Sequence, residues 1–108
     1  MKLAWLSLAL ALAAGAKETR AHDFYDPYCC RGEMDCQPIK ESAVKITDWG
    51  YAVTLYPTDH SMLANEKNPI TYLVSFKHAK RSPDGGYHAC IYPTPKEMRC
   101  FYAPDMGS

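Results

Sequence analysis

The chain has 108 residues, 12 basic and 12 acidic side chains, and a formal net charge of zero. That length suits one small domain, and a domain of this size buries only about 60–65% of its unfolded surface, so it needs reinforcement. Balanced charge without a broad basic face argues against nucleic acid as a partner.

Residues 1–21 have the layout of a secretory signal peptide. Met1-Lys2 is a short positive start, Leu3 to Ala16 is an almost unbroken apolar run, and Lys17 to Arg20 is polar before Ala21. The run of 14 residues is shorter than the roughly 20 of a membrane-spanning helix, so cleavage is expected rather than retention as an anchor. Two cuts compete. Ala14-Gly15-Ala16 fits the A-x-A rule; Thr19-Arg20-Ala21 leaves a polar segment of usual length and is favoured. A lipoprotein signal is excluded at this position, because the residue that would carry the lipid is Ala16 and not cysteine. The cut after Ala21 leaves one domain, residues 22–108, with His22 first. It removes three of the basic residues and one acidic residue, so the remainder is mildly acidic. A periplasmic or secreted protein follows, with no stable membrane anchor after cleavage.

His22-Asp23-Phe24-Tyr25-Asp26-Pro27-Tyr28-Cys29-Cys30 lacks helical period and reads as an ordered, irregular arm. Arg31 to Asp35 is a turn before Cys36. Ala43–Thr47 and Tyr51–Tyr56 alternate apolar and polar residues around Asp48-Trp49-Gly50, which predicts a hairpin with Gly50 free to take a positive φ. Thr58 to Asn68 is polar, with at most one helical turn started by Asp59. Ile70–Phe76 is the third strand, rich in β-branched and aromatic residues. Lys77-His78-Ala79-Lys80-Arg81 is a solvated turn flank. Ser82-Pro83-Asp84-Gly85-Gly86 is a turn, and Tyr87–Tyr92 and Met98–Ala103 are strands four and five. The expected fold is all-β: a small antiparallel sheet or partly open barrel of about five strands, stabilised by disulfides. Alternation puts His88, Cys90 and Tyr92 on one face of the fourth strand and Cys100 and Tyr102 on one face of the fifth.

The cysteines are Cys29, Cys30, Cys36, Cys90 and Cys100. In an oxidising compartment a disulfide framework is the default, and an odd count leaves one thiol or a link between two copies. Adjacent Cys29 and Cys30 are expected to reach different partners. Cys90 and Cys100 flank an apparent turn, Pro93 to Lys96, and facing each other they could close a loop. One of Cys29 and Cys30 could bridge to Cys36 or clamp the arm to the sheet. The pairing stays open. A thiolate metal site lacks the C-x2-C spacing of a zinc centre and competes with oxidation. A redox enzyme would need C-x-x-C beside a βαβ pattern, and neither is present.

The arm segment, with Asp35-Cys36-Gln37-Pro38, Ser82-Pro83-Asp84-Gly85-Gly86-Tyr87-His88-Ala89-Cys90 and Cys100-Phe101-Tyr102-Ala103-Pro104, resembles a group of small exported, cysteine-rich proteins predicted from proteobacterial and phage genomes. The resemblance covers most of residues 22–108 and implies secretion and a cysteine-framed domain. The group has no established activity, so no catalytic residue is implied. Phe24 stands where that group tends to have Trp.

Two functional expectations follow. No G-x-S-x-G or H-E-x-x-H occurs, and Asp23, Asp26, Glu33 and Asp35 read as solvated acids on a loop, so no enzymatic activity is expected. Eight tyrosines, Tyr25, Tyr28, Tyr51, Tyr56, Tyr72, Tyr87, Tyr92 and Tyr102, suit a binding module, because Tyr offers apolar area and a hydroxyl together. Its partner would be an envelope or extracellular protein. The alternative is copper. A terminal His22 offers an amine and an imidazole, and a second imidazole from His60, His78 or His88 would complete a nitrogen set suited to Cu(II). His88 is preferred, on a strand beside a bridge.

Overall fold

The computed structural model describes residues 24–32 and 34–104. The first 21 residues, His22, Asp23 and Glu33 lie outside them, and with them the expected leader and its cleavage sites. Among the described residues no helix is long and apolar enough to cross a membrane.

The chain is all-β. Among the described residues seven strands, β1 (Cys36–Ile39), β2 (Val44–Ile46), β3 (Gly50–Leu55), β4 (Ile70–Ser75), β5 (Lys80–Arg81), β6 (Tyr87–Ile91) and β7 (Met98–Ala103), form two sheets. One has the order β2-β3-β4 and the other β1-β6-β7-β5. All pairs are antiparallel except the two-residue β5–β7 pair. The five expected strands are present within a residue or two. β1 and β5 carry no strand signal in the sequence, for physical reasons. β1 carries Pro38, which cannot donate to a ladder and is tolerated because β1 is an edge strand. β5 is two charged residues, and it is held to β7 by its register and by Ser82 N–H donating to the Ala103 carbonyl at 2.8 Å.

The hairpin between β2 and β3 is closed by Thr47. Its hydroxyl accepts from the Gly50 amide and donates to the Gly50 carbonyl. Gly50 is required for space and not for a positive φ, which among the described residues only Gly85 adopts, at 81°. A Cβ on Gly50 would lie 2.2 Å from the Val74 carbonyl oxygen and 2.8 Å from the Ser75 Cα. The polar stretch after β3 makes one short 3-10 turn, Ser61–Leu63, capped by His60 rather than by Asp59.

Two cores lie on opposite faces of the four-stranded sheet. The larger collects Tyr51, Val53, Leu55 and Leu63 against Ile39, Tyr87, Ala89, Ile91 and Phe101. Burial of each fully enclosed Leu or Ile stabilises by about 1.5–3 kcal/mol. The smaller holds Cys29, Cys36, Cys90, Cys100 and Tyr102, with Phe24, Tyr25 and Cys30 packed on it. Central strand β6 is buried at all five positions. Its odd residues face one core and His88 and Cys90 face the other, as the period of two requires.

Candidate functional site

The arm, residues 24–30, lies across the outer face of β6 and β7. Phe24 meets the rings of His88 and Tyr102 edge-on, with centroids 4.9 and 5.4 Å away. A turn follows, in which Cys29 N–H donates to the Asp26 carbonyl. The Asp26 amide donates to the Tyr102 hydroxyl at 3.0 Å, and its carboxylate pairs with Lys80 at 2.9 Å. That pair is exposed and contributes little by itself. The covalent tie is stronger: Cys29 is bonded to Cys100 across 71 residues.

Cys90 and Cys100 do face each other in the β6–β7 register. They are not bonded to each other, because both sulfurs point into the small core and meet cysteines of the arm and of β1. Cys36, opposite Cys90 in the β1–β6 register, lies at bonding distance from both Cys30 and Cys90. The outer two sulfurs are 4.0 Å apart. Cys36 and Cys90 are buried and Cys30 is half-buried. Cys30 and Cys36 line an open cleft of about 930 Å³, together with Pro27, Arg31, Met34 and Pro38. The turn beneath it is fixed by Asp35, whose buried carboxylate accepts from the amides of Arg31 and Gly32 at 2.8 and 2.9 Å. Fully reduced, the three sulfurs would be a soft donor set able to hold a metal ion, all within 4.8 Å of one another. Sequence spacing hid this set, since Cys30 and Cys36 are close in sequence but Cys90 arrives only through strand pairing.

His88 is buried with both ring nitrogens engaged. Nε2–H donates to the Asp84 carboxylate at 2.9 Å, and Nδ1 accepts from the Tyr25 hydroxyl at 2.7 Å. Burial, with the nearby Asp84 charge and Tyr102, pushes the Tyr25 hydroxyl up to about 12. The phenol therefore stays protonated and donates, and the trio fastens the arm instead of generating a nucleophile. The hydrogen bond from His88, with those from Gly86 and Ser82, lowers Asp84 from 3.8 to about 2. A metal on His88 would have to displace Tyr25 or Asp84. Its expected companion His22 lies outside the described residues. Of the other imidazoles, buried His60 donates from Nε2 to the Ala89 carbonyl and accepts the Met62 amide at Nδ1. Burial lowers its pKa, which keeps it neutral. His78 sits on the surface against the Ser75 hydroxyl.

A second feature borders the cleft. A bulge in the β6–β7 pairing, where Cys90 faces Cys100 and Ile91 faces Met98, leaves Arg99 as the extra residue and turns it outward. Its Nε–H donates to the Tyr28 carbonyl at 2.8 Å. Its guanidinium lies 4.1 Å from the Tyr28 ring centre and 4.6 Å from that of Tyr92. Arg31 covers Tyr92 at 5.9 Å. Tyr28 is 64% exposed. Of the eight tyrosines, Tyr51, Tyr72, Tyr87 and Tyr102 are buried, so core packing explains half of them. The acids expected to be solvated divide: Asp26 is exposed, Asp35 is structural, and Asp23 and Glu33 lie outside the described residues.

The arrangement defines a class, an all-β disulfide-stabilised domain with an N-terminal arm clipped over a sheet. Comparison with protein families, curated proteins and solved structures finds no match to this chain.

Proposed function

We propose that the protein is a small exported binding protein, stabilised by disulfides, whose partner is an envelope or extracellular protein. The observation that carries the reading is the ridge of Tyr28, Arg99 and Tyr92 beside the cleft. Tyr and Arg are the residues most enriched where interfaces concentrate their energy. Here an exposed Tyr is held in place by a guanidinium at 4.1 Å and by a bond to its own carbonyl. A side chain ordered before binding loses less entropy on binding. Arg31 and Arg99 flank this face, so the complementary surface is one carrying carboxylates. Disulfide-bonded cysteines and an arm fastened to the sheet suit an oxidising compartment.

The test uses matched baits against envelope extract. Wild type should retain a discrete protein, and Tyr28→Ala and Arg99→Ala should each weaken that capture by roughly 30-fold, the effect of a 2 kcal/mol anchor. Lys45→Ala, exposed on the other sheet, should leave it unchanged. A captured protein held equally by both ridge variants would refute the proposed face.

A further inference from the structure

We propose that Cys30, Cys36 and Cys90 form a thiol–disulfide exchange centre in which Cys36 is the shared sulfur. It rests on sulfur connectivity and not on the binding role, so either can fail without the other. All five cysteines lie within bonding reach of another, yet a sulfur makes one disulfide. With Cys29 and Cys100 joined, the remaining three hold one bond and one thiol. Both arrangements are built into the fold: Cys36 reaches Cys30 six residues away and Cys90 fifty-four residues away. Its sulfur lies between the other two, which are 4.0 Å apart. Exchange at sulfur proceeds by attack from the side opposite the leaving group, and that is the relation Cys30 and Cys90 have across Cys36.

The step balances internally. The Cys30 thiol loses its proton to solvent, and its thiolate attacks Cys36 Sγ. The Cys30–Cys36 bond forms, the Cys36–Cys90 bond breaks, and Cys90 leaves as a thiolate that takes up a proton. No external oxidant or reductant is needed, and the reverse step is equivalent. The two states differ in what the cleft presents. With Cys36 bonded to Cys90, the thiol is Cys30, half-buried on the cleft wall. There it can meet a disulfide or another soft electrophile. With Cys36 bonded to Cys30, the thiol is Cys90, fully buried in the small core. Exchange thus determines whether the cleft carries a reactive thiol.

Disulfide mapping tests this. The protein is quenched in acid and unfolded in denaturant, its thiol is alkylated with N-ethylmaleimide at a pH low enough to hold exchange, and after digestion the linkages are read by mass spectrometry. One label per molecule is expected, divided between Cys30 and Cys90, with both Cys36 linkages present and Cys29–Cys100 common to all. In a separate sample, prolonged labelling of the native protein at mildly alkaline pH should place nearly all label on Cys30, because the accessible thiol is trapped as exchange refills it. Cys30→Ala and Cys90→Ala should each carry no free thiol. A single Cys36 linkage with the label fixed on one cysteine at every time would overturn the proposal. So would three labels, or a free thiol pair in either variant.

Discussion

Asp84 and His88 stand four residues apart, at either end of the turn that opens β6, and Tyr25 arrives from 63 residues away to complete the chain of hydrogen bonds. Because the folded state lowers the Asp84 carboxyl from 3.8 to about 2, the unfolded chain takes up this proton first as pH falls. The contribution is complete above 3.8 and is lost as pH falls through about 2. Asp84→Asn should therefore lower the melting temperature at neutral pH and flatten its decline in acid across that window, as read by thermal denaturation. An unchanged acid decline would remove Asp84 from the account. Gly50 makes a different kind of demand. An alanine Cβ would strike the β4 backbone, so Gly50→Ala should cost about 1–3 kcal/mol, measured by chemical denaturation. Turn chemistry is visible in Asp48-Trp49-Gly50, whereas the need for a glycine there comes from the approach of Val74, which depends on the register that pairs Gly50 with Ser75.

Among the elements, β6 explains what could and could not be read in advance. Its alternation divided correctly into two sets, Tyr87, Ala89 and Ile91 against His88 and Cys90. Nothing local indicates that both faces are covered, because the cover on one face is a seven-residue arm without periodicity. The facing of Cys90 and Cys100 was legible from strand spacing, but their bonding was not. Partners from the arm and β1 are supplied by tertiary packing, and β1 was hidden by Pro38. The same element supplies a stability comparison. Cys30→Ala leaves Cys36–Cys90, which closes a loop of about 54 residues, and Cys90→Ala leaves Cys30–Cys36, which closes one of about 6. Chain entropy favours the longer loop by roughly 2 kcal/mol. Cys30→Ala should therefore melt higher than Cys90→Ala in differential scanning calorimetry. The reverse order would mean that Cys36–Cys90 does not brace the fold.

Across the whole molecule, the two sheets enclose an ordinary apolar core, and the arm creates a second, sulfur-rich core on the outside of one sheet. The cleft, the Tyr28–Arg99–Tyr92 ridge and the Tyr25–His88–Asp84 chain all belong to that second layer. Each exists only because the arm is fastened down. The strands and an abundance of tyrosine were legible in the sequence. Not legible there were Arg99, whose outward turn comes from a bulge between two strands, and the trio of sulfurs, whose third member arrives by strand pairing. The central claim is that the arm is part of the fold, locked by Cys29–Cys100. Peptide mapping of the unreduced protein tests it most directly. A Cys29–Cys100 cross-linked peptide in essentially every molecule is the predicted result, and a Cys90–Cys100 bond with Cys29 paired elsewhere would contradict it.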